Sequence, residues 1–285
     1  MRCCYMNTET ALITGASSGI GLHLAREFAK HQHPLVLVAP VESELQRLAA
    51  ELRQEFGVEA QLIAKDLEKE TAAQEIFEEL SQRPDRIEIL VNNAGHGQLG
   101  KFWEIDIDRD LSILRLNVEA ILRLTKLFLS PMIRRGRGRI LNVASVAGFE
   151  PGPGLAVYHA SKAFVLSWSE ALAEELHGTG VTLTALCPGP TDTDFFEKAD
   201  MVDTRAFQKA NVMPPQDVAE AGYKALVDGE RIIVPGAANK LMVFSRRFMP
   251  MTAQAKKNEA LYEETDPENR KREPHEIEAE AAAKE

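Results

Sequence analysis

Short runs of consecutive apolar, often β-branched residues alternate along most of this chain with longer stretches whose apolar positions recur at helical spacing. The runs are Ala11–Thr14, Leu35–Ala39, Ala60–Ala64, Ile87–Val91, Arg139–Ala144, Val181–Cys187 and Ile232–Val234. Each is too short for a helix and lacks polar alternation, the pattern of strands covered on both faces. The amphipathic stretches Leu22–His31, Glu42–Phe56, Thr71–Gln82, Arg109–Arg135, Tyr158–Gly178 and Gln216–Asp228 predict helices. Seven strands alternating with six helices predict an α/β fold, a doubly wound, mostly parallel seven-stranded sheet with helices on both faces. Ligands bind such sheets beyond the carboxyl ends of the strands, so the residues after each run are the ones to inspect.

The alternation ends near residue 238. Residues 8–238 therefore predict one domain and residues 239–285 a helical, charged extension. Within it, Asn239–Tyr262 carries Leu241, Met242, Phe244, Phe248 and Met249 in a helical pattern that Pro250 interrupts. Packing of this stretch on its own domain is the favoured reading, with docking on a subunit or a membrane surface as the alternative. After Asp266-Pro267 the sequence is almost wholly charged residues and alanine, which predicts a solvated helix or a disordered tail.

Composition narrows the partners. The 285 residues hold 33 Lys and Arg against 43 Asp and Glu, a net charge of −10. So acidic a body repels phosphate backbones, and no nucleic acid is expected as partner. The arginines from Arg134 to Arg139 read as a solvated helix end, and Arg246-Arg247 is the other basic pair. Three cysteines, Cys3, Cys4 and Cys187, form no framework and no zinc spacing, so no metal and a reducing, cytoplasmic setting are expected. Cys187, in an apolar run, reads as a small buried hydrophobe. No apolar run reaches the ~20 residues of a membrane span. The first residues show no signal peptide, and Met6 is an alternative start.

Candidate chemistry begins right after the first strand with Thr14-Gly15-Ala16-Ser17-Ser18-Gly19-Ile20-Gly21, and a helix follows. A strand that turns tightly into a helix aims free N–H groups and the positive end of the helix dipole at one spot. Glycines there remove the Cβ atoms that would keep a pyrophosphate out. After the third strand, Asp66 stands where a carboxylate can accept from an adenine amino group. After the fourth, Asn92-Asn93-Ala94-Gly95 offers two amides and a small-residue turn beside which a flat ring fits. Ser145 follows the fifth strand, with Tyr158 thirteen residues later and Lys162 four beyond that. Tyrosine and lysine at this spacing share a helical face. An adjacent ammonium is expected to lower the tyrosine from its ordinary value near ~10, letting it exchange a proton at neutral pH.

TGASSGIG, NNAG, Asn117 within LRLNVEA, NVASVAG, YHASK and PGPTDTDF, in this order between Thr10 and Pro235, resemble the classical short-chain dehydrogenase/reductase (SDR) family. The resemblance implies a Rossmann-type fold, a nicotinamide cofactor, and hydride transfer between a carbonyl and a secondary alcohol. It makes Tyr158 the general acid/base and has Ser145 orient the reacting oxygen. Lys162 would bind the nicotinamide ribose and tune Tyr158, and Asn117 would hold a water that links Lys162 to solvent. Gly15, Ser17, Ser18, Gly19, Ile20 and Gly21 would cradle the pyrophosphate and the adenosine ribose. Asp66, Leu67, Asn93, Ala94 and Gly95 would line the adenine and ribose side, and Pro188, Gly189 and Thr191 the nicotinamide. A homodimer or homotetramer built on Arg109–Arg135 and Tyr158–Gly178 is implied as well.

One position departs from the family. Where NAD-preferring members carry an acid for the ribose 2′-OH, this chain has Pro40, and it is not the arginine common among NADP-preferring members. Ser17 and Ser18 suit a 2′-phosphate, so NADP(H) is favoured over NAD(H), while Glu42 keeps NAD in play. Substrate contacts are expected from 96–100, 149–157 and 193–213. The last segment bears Phe195, Phe196, Met201, Phe207, Val212 and Met213, which suit a lid over an apolar ketone or alcohol or pack the lid itself. His96 reads as a polar loop residue rather than a catalytic one. The competing function is a non-catalytic dinucleotide-binding sensor or scaffold on the same fold.

Overall fold

The computed structural model describes residues 9–81, 87–270 and 272–283. Cys3, Cys4, Met6 and Gln82 lie outside the described residues. Strands β1 (Thr10–Thr14), β2 (Leu35–Ala39), β3 (Ala60–Ala64), β4 (Ile87–Asn92), β5 (Gly138–Val143), β6 (Val181–Leu186) and β7 (Ile232–Ile233) form one sheet in the order β3-β2-β1-β4-β5-β6-β7. All six pairings are parallel. Every apolar run has become a strand with ends shifted by one residue at most. The strand order reverses between β1 and β4, and a crevice opens at such a switch point.

The helices are α1 (Gly19–Lys30), α2 (Glu42–Phe56), α3 (Ala72–Ser81), α4 (Ile107–Leu114), α5 (Ile121–Arg135), α6 (Ala156–Glu175), α7 (Phe195–Lys198), α8 (Arg205–Gln208), α9 (Pro215–Asp228), α10 (Ala237–Arg246), α11 (Met251–Tyr262) and α12 (Glu276–Ala282). Side chains alternate across the sheet. Ala11 and Ile13 join Leu24, Leu45 and Val218 on one face, whereas Leu12 joins Ile76, Leu124 and Phe128 on the other. Both faces are covered, which is why the strands read as unbroken apolar runs.

Two predicted helices divide. The stretch from Arg109 to Arg135 lies within α4, a π-helical turn at Arg115–Ala120, and α5. The π turn carries Asn117, and such turns cluster at functional sites. Asn239–Tyr262 becomes α10 and α11, because Pro250 has no N–H to continue the first helix and instead caps the second.

The extension is strapped across the lid segment. Thr204 bridges to Glu264, Gln208 Nε2 donates to the Arg272 carbonyl at 2.9 Å, and Arg272 donates to the Phe207 carbonyl. At its end, fully buried Asp192 accepts from the N–H groups of His275 (3.0 Å), Ile277 (2.8 Å) and Glu278 (3.1 Å). A carboxylate at a helix N-terminus satisfies donors that would otherwise lack partners. Asp192→Ala is expected to cost about 2 kcal/mol of stability in urea unfolding and to expose 266–283 to limited proteolysis. An unchanged midpoint and cleavage pattern would refute this strap.

Candidate active site

The turn after β1 admits no side chain at its three glycines. Gly15 and Gly19 have φ of +62° and +54°, a region that favours glycine. A Cβ on Gly21 would stand 2.0 Å from the Gly15 carbonyl oxygen. The Ser18 carbonyl accepts from the Leu22 N–H at 3.2 Å, but its side chain makes no capping bond, so the first N–H groups of the helix have no side-chain partner from their cap. Across the switch point, Asn93 Nδ2 donates to the carbonyls of Thr14 (2.9 Å) and Gly15 (3.1 Å). Thr14 Oγ1 donates to the Val91 carbonyl and accepts from the Asn93 and Ala94 N–H groups. These bonds fix the ends of β1 and β4 and keep the glycine turn facing the crevice. A cradle so bare of Cβ atoms at a helix N-terminus fits a pyrophosphate.

Ser145 follows β5, and Tyr158 and Lys162 lie on the first turns of α6. All three line one cleft with the glycine turn. Ser145 Oγ accepts from the Ala147 N–H at 3.1 Å and donates to the Pro188 carbonyl at 3.4 Å. Lys162 is 4% exposed, and its Nζ donates to the Val143 carbonyl at 2.8 Å, 5.8 Å from the centre of the Tyr158 ring. Burial pushes the Lys162 ammonium down to about 8 and the Tyr158 phenol up to about 12, the Ser145 hydroxyl pulling the phenol the other way. The lowered tyrosine expected from helical spacing is thus not what the protein groups alone produce: desolvation outweighs the Ser145 hydrogen bond. Asn117 Oδ1 accepts from the His96 N–H (3.0 Å), and Nδ2 donates to the His96 carbonyl (2.9 Å) and Ser161 Oγ (3.1 Å). Gly95 lies between Asn117 and Lys162, where a Cβ would come within 3.0 Å of Asn117 Oδ1 and 3.5 Å of Lys162 Nζ.

The cleft has a volume of about 1020 Å³. Ser17, Ser18, Ile20, Pro40, Lys65, Asp66 and Leu67 line one end, and Asn93, Ala94, Gly95, Pro188, Gly189 and Thr191 line the middle. Gly21 supports the turn from behind. Asp66 Oδ1 accepts from the Glu68 N–H at 3.0 Å, a turn bond, and its other oxygen lies 3.7 Å from Lys69 Nζ. Of the apolar lid residues, Phe195, Phe196 and Met201 reach the cleft, whereas Phe207 is fully buried against Phe196 within the lid. His96 bonds Ser112 Oγ at 2.9 Å, and burial lowers its pKa, in keeping with a loop role. Cys187 is buried with its thiol pushed up to about 12, as a small hydrophobe would be.

The extension adds walls that sequence patterns did not disclose. Tyr262 OH lies 2.7 Å from His159 Nε2, and His159 Nδ1 lies 2.8 Å from the Glu150 carbonyl. That carbonyl only accepts, so Nδ1 carries the proton and Tyr262 donates to Nε2. Arg246 is buried, 2.5 Å from Glu150, and bonds Asn258 Oδ1 at 3.1 Å, so it belongs to no basic surface stripe. Arg137 and Arg139 likewise pair with Glu88 and Glu9. Sequence periodicity marked Asn239–Tyr262 as helical and favoured its packing on the domain, without showing which residues it meets. Among the described residues no group of three or more His, Cys, Asp or Glu is placed to hold a metal, and no helix is long and apolar enough to cross a membrane.

Residues 9–202 match the short chain dehydrogenase family model, and the chain belongs to this family of oxidoreductases acting on CH–OH groups with NAD(P). A ketoacyl reductase HetN from Nostoc sp. is 35% identical over 221 residues, 76% of this chain and 75% of the relative. A short-chain dehydrogenase from Sphingobium yanoikuyae in complex with NADPH shares 34% identity, with a TM-score of 0.75 over 84% of this chain and 94% of that one. A family member from Burkholderia phymatum in complex with NAD shares 26% identity, with a TM-score of 0.78 over 92% and 98%.

The buried lysine gives a pH signature. Below about pH 8 Lys162 is protonated folded and unfolded; between about 8 and 10.5 the unfolded chain holds more of the proton. Stability from this group therefore rises with pH through that window, and the opposing contribution of Tyr158 enters only above pH 10.0. From about pH 7.5 to about pH 9.5 the wild type should gain ~2 kcal/mol relative to Lys162→Met in urea unfolding. A pH-independent difference would contradict the burial of a charged lysine.

Proposed function

We propose that the chain is an NADP(H)-preferring oxidoreductase that interconverts an apolar ketone and its secondary alcohol, with Tyr158 as general acid and base. The observation that carries this reading is the meeting of Ser145, Tyr158 and Lys162 in the cleft that begins at the glycine turn. A nicotinamide dinucleotide bound in the cleft supplies the hydride for reduction or accepts it in oxidation. Gly15, Ser17, Ser18, Gly19 and Ile20 hold its phosphates and adenosine ribose, and Gly21 lets the turn close behind them. Asp66, Leu67, Asn93, Ala94 and Gly95 hold the adenosine side, and Pro188, Gly189 and Thr191 the ring.

Tyr158, with its phenol near 12, keeps its proton throughout the physiological range and can give it to a carbonyl oxygen that gains charge. Ser145 donates to the same oxygen and orients it. Lys162 offsets the charge left on the phenolate and contacts the nicotinamide ribose. Asn117, held by His96 and Ser161, carries the water that returns protons to Lys162. In the alcohol-oxidising direction Tyr158 must first lose its proton, so that direction should gain as pH rises.

Pro40 removes the acid that would repel a 2′-phosphate, and Ser17, Ser18 and Lys65 offer donors and charge at that end. The relatives crystallised with NADPH and with NAD are compatible with either dinucleotide. Leu155, Phe195, Phe196, Met201 and Leu261 give the substrate end its apolar character. We further propose a homodimer or homotetramer, supported by exposed Leu111, Leu114 and Ile133 along α4 and α5 and Phe164 on α6. A cytoplasmic setting accords with the free, buried thiol of Cys187.

Tyr158→Phe should bind NADPH with unchanged affinity but turn over ketones at least about 10²-fold more slowly. A wild-type rate would remove the acid/base role. Pro40→Asp should shift the NADPH-to-NADH affinity ratio about tenfold toward NADH; equal ratios in both proteins would show that this position does not read the 2′ group.

A further inference from the structure

The extension presents a face that the domain leaves uncovered. On α10 and at the start of α11, Leu241 is 68% exposed, Phe244 55%, Phe248 77% and Met251 70%. The rings of Phe244 and Phe248 meet edge to face at 5.5 Å, with Leu241 one helical turn before Phe244 on α10. The other side of the same helices packs inward: Met242 and Val243 lie against Val165, Ala185 and Val234. An apolar set this large in contact with water marks a binding surface.

Charge selects the partner. From Ala237 to Tyr262, the span of both helices, the sequence holds five basic residues, Lys240, Arg246, Arg247, Lys256 and Lys257, against one acid, Glu259, which pairs with Lys101, in a chain of net charge −10. Arg246 is spent on Glu150 and Lys257 lines the cleft; Lys240, Arg247 and Lys256 are exposed on the same segment. Phe, Leu and Met projecting between Lys and Arg, on helices too short to span a bilayer, are the composition of a segment that lies in a lipid interface. The acidic body turns away from anionic headgroups while this segment turns toward them, which fixes the orientation. A second copy of the chain would bring the same cations against themselves, or require an acidic face that the segment does not contain.

We propose that α10 and α11 dock the protein on the surface of an anionic lipid bilayer, with Leu241, Phe244, Phe248 and Met251 entering the acyl boundary and Lys240, Arg247 and Lys256 on the headgroups. Met242, Arg246, Lys257 and Asn258 of the same helices line the catalytic cleft. Docking therefore holds the substrate end of the cleft beside the bilayer, where an apolar carbonyl compound dissolves. That last step rests on the reading of the cleft as a ketone-reducing site; the docking does not.

Flotation of the full chain with vesicles separates the two. The wild type should float with phosphatidylcholine vesicles containing about one-third phosphatidylglycerol and be released by high salt, and it should bind pure phosphatidylcholine about tenfold or more weakly. Phe244→Ser/Phe248→Ser should lose binding, and Arg247→Gln/Lys256→Gln, which leaves the apolar patch intact, should lose the preference for anionic vesicles. No flotation of the wild type at low salt would overturn the proposal. So would equal flotation of the Phe variant, or a Phe variant that falls from oligomer to monomer in sedimentation while still binding vesicles. Ketone reduction by the soluble protein is read separately, so a docked but inactive protein would remove the enzymatic reading alone.

Discussion

The ends of β1 and β4 are stitched together by the side chains of Asn93 and Thr14 so closely that a Cβ on Gly15 would stand 2.9 Å from Ala94 Cα, and the cleft exists because of that seam. Asn93 holds the Thr14 and Gly15 carbonyls, and Gly21 approaches Gly15 to a distance that only glycine allows. With the two halves of the sheet pinned at the point where the strand order reverses, every strand delivers its carboxyl end to the same side. The glycine turn, Asn93–Gly95, Ser145 and the segment after β6 arrive together for that reason. Loosening the seam would separate the dinucleotide end from Ser145 and Tyr158.

Within that frame the chemistry turns on desolvation. Lys162 keeps its ammonium in a buried position with a single carbonyl as hydrogen-bond acceptor, and Tyr158 keeps its proton beside it. Neither state is comfortable: burial disfavours the charged lysine as much as it disfavours a phenolate. A site in which the cation is easily discharged and the phenol is firmly protonated is set up to give a proton rather than take one. On the proposed role of Tyr158, a phenol that holds its proton at neutral pH suits the reductive direction.

Periodicity disclosed the sheet almost residue by residue, because strands covered on both faces leave unbroken apolar runs such as Leu35–Ala39. The glycine turn, Ser145, Tyr158 and Lys162 were legible too, since each belongs to a local motif at the end of a strand or on one helical face. What escaped was long-range. Tyr262 meets His159 across 103 positions, Arg246 meets Glu150, and Asp192 caps a helix more than eighty residues away. No local spacing encodes such pairs. The proton balance of Tyr158 escaped for a related reason: spacing fixes which residues are neighbours but not how much water surrounds them.

The extension gives the cleft a second wall and an outward face, so the apolar substrate end and the basic, apolar patch are two sides of one pair of helices. All of this supposes that a nicotinamide dinucleotide occupies the other end. The most direct test is a titration of the purified chain with NADPH and, separately, NADH, followed by nicotinamide fluorescence. The account predicts saturable binding of both, tighter for NADPH; the absence of saturable binding by either would contradict it.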